Sequence, residues 1–250
     1  MSENKKFISF FTWVTAIFLV LTYVFSIQEF SHPFMNNGFL ETIFGGLFAS
    51  FGVMLLAEIK KYWINKKTSE DIMYITLLNL YIELVMETKY ADLYVNHPNV
   101  EVPSNVFSTR SPVIYNSVNT LRGIDYTPYI KNCILCCWNK YRSGEFPAFD
   151  KHINWCNNNL LIAINQEKMK ALRSGKGAYN PIASEHDVNI TIRKIKSDAM
   201  ERIRAIELFI TTLVSLYPDR YNWERDRKSV DEAQVCLPMD NPEINTFFKD

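Results

Sequence analysis

From Phe7 to Gln28 the chain carries no charged residue, and the run is dense in Phe, Ile, Val, Leu and Trp. As a helix rising about 1.5 Å per residue it spans about 33 Å, enough for the roughly 30 Å hydrocarbon core of a bilayer. A second uncharged run, Thr42–Ala57, is shorter, with Glu41 and Glu58 where a helix reaches the headgroups. Extended over about Phe39–Tyr62, with Glu58, Lys60 and Lys61 at the interface, it also crosses. A signal peptide would have a shorter apolar region and a small-x-small cleavage pattern before the second run. Whole-chain averages conceal this pattern: 48% hydrophobic residues and zero net charge are ordinary for a soluble protein.

Lysines orient the two spans. Lys5 and Lys6 precede the first, and Lys60, Lys61, Lys66 and Lys67 follow the second, whereas the connection Glu29–Asn37 has neither Lys nor Arg. The positive-inside rule then places both termini in the cytoplasm and the connection outside. Cys133, Cys136, Cys137, Cys156 and Cys236 all fall on the cytoplasmic side, where thiols stay reduced.

Each span carries a face with a second use. Gly45, Gly46, Ala49 and Gly52 fall within an arc of roughly 120° at helical spacing, and small residues allow close helix approach. That face packs either on the first span of the same chain or on other copies. On the first span Thr12, Thr15, Leu19, Thr22 and Ser26 lie along one narrow stripe. Hydroxyls in membrane helices often bond back to their own carbonyls, which is one reading of the stripe. In the other it walls a polar lumen, with a ring of Leu19 as an apolar constriction that gates by dewetting. A two-helix hairpin encloses no pore alone, so conduction requires a homo-oligomer, of cyclic symmetry.

The remainder reads as helical. Thr68-Ser69-Glu70-Asp71 has the acidic first turn and Thr-x-x-Asp pattern of a helix start, and Ile72 to Met86 recurs at helical intervals, predicting a helix to about Tyr94. The segment from His97 to Pro112 reads as a loop and Val113–Leu121 as a short helix. Thr127–Tyr141 reads as another helix, ended by Ser143-Gly144. Pro147 suits the first turn of a further helix running to about Arg173, closed by Gly175 and Gly177. Val188–Tyr217 is the longest, stopped by Pro218, and the tail from Asp219 reads as a docked or loose extension. The expectation is an all-α chain: a two-helix transmembrane hairpin over residues 1–62, a cytoplasmic helical bundle over 63–217, and an extension over 218–250.

No catalytic constellation stands out. Ser174-Gly175-Lys176-Gly177 is similar to a phosphate loop but lacks the full pattern and a preceding strand. Cys133, Cys136 and Cys137 sit at i, i+3 and i+4, and His152 and Cys156 repeat an i, i+4 spacing, which facing helices would turn into a zinc site. Burial among Ile134, Leu135 and Trp138 is the preferred account of the trio, so neither metal nor cofactor is expected. The Arg-x4–6-His pattern of helical defence nucleases is missing.

One electrostatic feature departs from the chain average. Lys168, Lys170, Arg173, Lys176, Arg193, Lys194 and Lys196 face only Glu185 and Asp187 in the same stretch, a net of +5. Such a cluster suits the phosphates of a nucleotide or short oligonucleotide, with Tyr179 placed to stack on a base. A solvated helix surface, or a patch against anionic lipid, is the plainer account of it.

This layout resembles the two-transmembrane effectors of bacterial anti-phage defence, whose relatives occur in cyclic-oligonucleotide systems, in retrons, and in Hailong, where short DNA oligomers hold a channel effector shut. The resemblance rests on the Phe7–Gln28 and Thr42–Ala57 runs and the basic Lys168–Lys196 region. It implies a homo-oligomer in the bacterial inner membrane that depolarises or breaches it in abortive infection, answering a signal-producing partner protein. Thr12, Thr15, Leu19, Thr22 and Ser26 would line the pore, Gly45, Gly46, Ala49 and Gly52 would pack helices, and the basic residues would read the signal. A ring of Glu41 would favour cations at the outer mouth. Two other classes compete: a membrane-anchored adaptor or receptor without conductance, and a membrane-tethered nuclease.

Overall fold

The computed structural model describes residues 3–27, 37–96, 107–173 and 185–233, and among these the regular structure is entirely helical. In chain order the helices are α1 (Glu3–Ile27), α2 (Asn37–Asn96), α3 (Ser111–Gly123), α4 (Asn132–Asn154), α5 (Leu160–Arg173), α6 (Glu185–Ser215) and α7 (Trp223–Glu232). A single π-helical turn, Trp155–Asn159, joins α4 to α5. Two compact units divide the chain: Met1–Asp71 with Asp125–Ile130, and Ile72–Ile124 with Lys131–Asp250.

In the first unit, α1 and the beginning of α2 supply two stretches long and apolar enough to cross a membrane, with none of either apolar window buried inside the chain. Their mutual contact is aromatic. Phe11, Phe18 and Phe25 recur every seventh residue on α1 and meet Phe44 and Phe51 of α2. Phe18 stacks on Phe51 at 5.4 Å, and Phe25 lies almost parallel to Phe44 at 5.2 Å. Phe18 also reaches Phe44, and Phe11 reaches Phe51, each at 6.2 Å. Trp13, Tyr23, Val53 and Leu56 remain two-thirds or more exposed, which only an apolar surrounding or another apolar surface tolerates. Backbone groups in such a setting must pair internally, which a helix does without outside partners.

In the second unit the core takes Met73, Leu77, Leu80 and Leu84 from α2, Ile114 and Val118 from α3, Trp138 and Phe149 from α4, and Ile195, Ile206 and Ile210 from α6. The segment after α6 is docked as far as it is described. Tyr221 stacks on Tyr74 at 4.2 Å, and Trp223 meets Tyr81 edge-on at 4.9 Å. The Tyr74 hydroxyl donates to Asp226 at 2.7 Å and the Tyr81 hydroxyl to Asp231 at 3.2 Å. Burial, with Asp231 close by, pushes the Tyr81 phenol up to about 12. Lys89 donates to the carbonyls of Val230, Asp231 and Ala233 at 2.9, 2.9 and 2.6 Å. A cation there satisfies carbonyls that a helix end leaves without partners.

Three expected boundaries are corrected. No helix starts at Thr68, because α2 runs unbroken through Thr68-Ser69-Glu70-Asp71, and Ser69 and Glu70 are buried there rather than capping. The helix expected from Thr127 starts at Asn132 instead. Ser143-Gly144 does not end that helix and Pro147 does not open another: α4 passes through all three. Pro147 brings no N–H to the carbonyl of Ser143, and Ser143 lies exposed, where the cost of a missing helix bond is small. Packing on the opposite face holds the helix together. Trp138, Tyr141 and Phe146 form one aromatic group spanning the interruption, with Phe209 of α6 at 5.6 Å from Trp138 and 5.2 Å from Tyr141. Arg202 adds an ion pair to Glu145 at 2.7 Å. The expected connection between the spans, the expected glycine closure at Gly175 and Gly177, and the end of the tail lie outside the described residues.

A Cβ added at Gly45 would sit 4.0 Å from Thr22 Cγ2. A Thr22→Cys/Gly45→Cys chain should therefore form an intrachain disulfide under mild oxidation, read as a gel-mobility shift. Adding Phe18→Ala should slow this several-fold, since it removes two ring contacts of about 0.5–1.5 kcal/mol each, whereas Phe7→Ala, at an exposed position, should not. Equal rates in all three would contradict the aromatic pairing.

Candidate functional site

The hydroxyl stripe of α1 divides between two environments. Thr15 and Thr22 are half-buried, while Thr12, Leu19 and Ser26 are exposed. Thr12 donates to the Ile8 carbonyl at 2.7 Å and Thr22 to the Phe18 carbonyl at 2.8 Å, the local back-bonding common for hydroxyls in apolar helices. Thr15 Oγ1 is buried without a hydrogen-bond partner. Leu19 is 52% exposed and next in sequence to Phe18, so it lies beside the aromatic contact and takes no part in it.

The small residues of α2 divide similarly. Gly45 is half-buried and within reach of Thr22. Gly46 is exposed, with no atom within 4 Å of the position a Cβ would take, and Ala49 is exposed too. Gly52 is half-buried, again with nothing within 4 Å of such a Cβ. Glu41 is exposed. The phenylalanines that do pair the two helices were not singled out from sequence, although their seven-residue spacing on α1 was the available signal.

The basic region is partly neutralised by its own neighbours. Lys196 pairs with Asp92 of α2. Lys170 pairs with Glu167 at 3.0 Å, and Lys194 sits 5.0 Å above the Trp155 ring. Arg173 and Arg193 are exposed and Lys168 is half-buried; Lys176 and Tyr179 lie outside the described residues. Along α5, Ile162, Asn165, Gln166, Met169, Lys170 and Arg173 line an open groove of about 440 Å³. It offers two cations, two amides and two apolar side chains in one place.

A third group of side chains was only half visible in the sequence. His152 and Cys156 are buried, as is Glu87 of α2, which approaches them from 65 residues upstream. His152 Nε2 is 2.6 Å from Glu87 Oε2, and Cys156 Sγ is 3.6 Å from Glu87 Oε1. The i, i+4 spacing of His152 and Cys156 was the legible part. By contrast, Cys133, Cys136 and Cys137 are exposed, correcting the expectation that packing among Ile134, Leu135 and Trp138 buries them. Ile134 and Trp138 occupy the inward face of α4, and the three thiols fall on the outward one. Burial pushes the Cys156 thiol up, and the Glu87 carboxylate beside it pushes the same way.

In comparisons with known proteins, no family model, no curated protein and no solved structure matches the chain.

Thiol reactivity should separate the two sets of cysteines. Iodoacetamide should label Cys133, Cys136 and Cys137 in the folded chain, and Cys156 on the order of a hundredfold more slowly, as expected when access requires opening of the core. Peptide mapping by mass spectrometry reads this directly, and equal labelling of Cys156 would contradict its burial.

Proposed function

We propose that the chain is an oligomeric, pore-type effector of the bacterial inner membrane, with both termini cytoplasmic, gated by a helical cytoplasmic bundle that senses a nucleotide or short oligonucleotide. One observation carries this reading. The aromatic contact uses one face of each apolar helix, while Gly46 and Ala49 remain uncovered on another. Lipid supplies no hydrophobic drive for helix association, so close packing of small residues is the main route by which further helices attach. Such a face suits other copies of the chain, and closed rings are the usual outcome for identical subunits. In a ring, Thr12, Leu19 and Ser26 supply alternating polar and apolar levels to a lumen, with Leu19 as the constriction.

For the signal, the groove along α5 is the best-supported receptor. Lys170 and Arg173 suit phosphates, Asn165 and Gln166 suit base edges, and Ile162 and Met169 suit a base face. Arg193 of α6 is exposed as well. Lys170 of the groove, Lys194 and Lys196 are each engaged within the chain, by Glu167, Trp155 and Asp92, so Arg173 and Arg193 are the stronger candidates. Antiviral defence as the setting rests on the resemblance in layout alone.

Expression of the chain in bacteria should collapse the membrane potential reported by a voltage-sensitive dye, and Gly46→Trp should abolish the effect. Leu19→Asn should raise ion flux in proteoliposomes at least several-fold by wetting the constriction. Potential preserved in cells, together with no flux in liposomes with or without short DNA oligomers or cyclic oligonucleotides, would overturn the pore and leave a membrane-anchored adaptor.

A further inference from the structure

Glu87, His152 and Cys156 aim three different donor atoms at one point within the second unit. Cys156 Sγ lies 3.7 Å from His152 Nε2 and 3.6 Å from Glu87 Oε1, and the donors of all three lie within 4.8 Å of one another. Their residues are 0%, 0% and 1% exposed. The arrangement is not that of a thiol activated by a base. Such a relay uses opposite nitrogens of the imidazole, one toward the nucleophile and one toward the carboxylate. Here Nε2 faces both partners, and Nδ1 is buried with no hydrogen-bond partner. Convergence on one nitrogen, one sulfur and one carboxylate is the pattern of a metal-ligand set.

Lengths point the same way. Tetrahedral zinc with bonds of about 2.0–2.1 Å to nitrogen or oxygen and about 2.3 Å to sulfur separates sulfur from its neighbours by about 3.6 Å and nitrogen from oxygen by about 3.3 Å. The Sγ–Nε2 and Sγ–Oε1 separations already have that length, while the 2.6 Å contact of Nε2 is to the other carboxylate oxygen, Oε2, a hydrogen bond that must give way as the metal enters. Charge adds a further argument. A carboxylate and a thiolate neutralise a divalent cation, so the loaded site is a neutral cluster in a dry interior, where isolated charge is strongly disfavoured. The sulfur, imidazole and carboxylate donors together favour zinc over the hard cations magnesium and calcium. Finally, Cys156 belongs to the π-helical turn Trp155–Asn159, a local irregularity that often accompanies functional sites in helices.

We propose that Glu87, His152 and Cys156 bind one zinc ion that fastens α2 to the junction of α4 and α5. Binding converts the Cys156 thiol to a thiolate, releasing its proton to solvent. With His152 neutral, its ring proton shifts from Nε2 to Nδ1, freeing the Nε2 lone pair for the metal. Glu87 contributes a carboxylate oxygen, and water or a backbone carbonyl takes the fourth position. Full burial of the three side chains makes this a structural clamp, independent of the pore reading.

The full-length chain, purified in detergent without chelator, should contain about one zinc per chain by plasma mass spectrometry. After chelator stripping, cobalt(II) should restore the metal and give visible bands of tetrahedral cobalt together with a near-ultraviolet thiolate charge-transfer band. Cys156→Ser should lose the charge-transfer band, and Glu87→Gln should weaken cobalt binding by more than about tenfold. A Cys133→Ser/Cys136→Ser/Cys137→Ser chain, altered only at exposed positions, should keep the zinc and the spectrum. The proposal is overturned if the unaltered chain holds no stoichiometric zinc and gives no thiolate–cobalt band. Loss of both in the triple-serine chain would overturn it as well, by assigning the metal to the exposed thiols.

Discussion

The contact between the phenylalanines of α1 and α2 decides what the rest of the hairpin is free to do. Phe18 engages Phe44 and Phe51 together, while Phe25 lies flat on Phe44. In the proposed membrane setting, apolar side chains gain nothing by leaving solvent, so ring stacking and close van der Waals fit carry the pairing. Because the rings occupy those faces, the small residues are not needed to hold the hairpin closed. Of Gly45, Gly46 and Gly52, a Cβ only at Gly45 would come within 4 Å of a side chain of the other helix, and Gly46 and Ala49 are exposed. A face of small residues that its own chain does not use is what makes assembly the favoured reading.

The second unit has a buried core of its own, in which apolar burial is the main drive. Its polar contacts fasten what the core alone leaves loose. The segment Tyr221–Ala233 carries little aliphatic surface, yet Tyr74, Tyr81 and Lys89 of α2 bind it through two phenol–carboxylate hydrogen bonds and three bonds to backbone carbonyls. Hydrogen bonds to charged groups contribute about 1.5–3 kcal/mol each, enough to dock a short helix. The Glu87, His152 and Cys156 cluster plays the same part deeper inside, where α2 meets the π-helical turn.

Much of the fold was legible because its strongest signals are local. Uncharged length identified two helices long and apolar enough to cross a membrane, and the apolar periodicity of Ile72–Met86 and Val188–Tyr217 identified the latter part of α2 and α6. What misled were residues whose intrinsic tendencies lose to packing. Thr68-Ser69-Glu70-Asp71 has a helix-start composition, but the helix is already running when it reaches them. Gly144 and Pro147 are helix breakers by propensity, outweighed by the aromatic group of Trp138, Tyr141, Phe146 and Phe209. Relations across long sequence separations were invisible: nothing near Glu87 announces His152, and nothing near Lys196 announces Asp92. The basic cluster was correctly counted as charge, but a count does not show which cations have partners.

Assembly in the bilayer is the claim on which the pore depends, and the mass of the detergent- or nanodisc-embedded chain measures it most directly. Native mass spectrometry or light scattering of the unaltered chain should give one defined species well above a dimer, and Ala49→Trp should shift it toward the monomer, because a bulky ring blocks close approach of the exposed small-residue face. A monomer across the accessible concentration range would contradict the pore, since two helices cannot enclose a lumen.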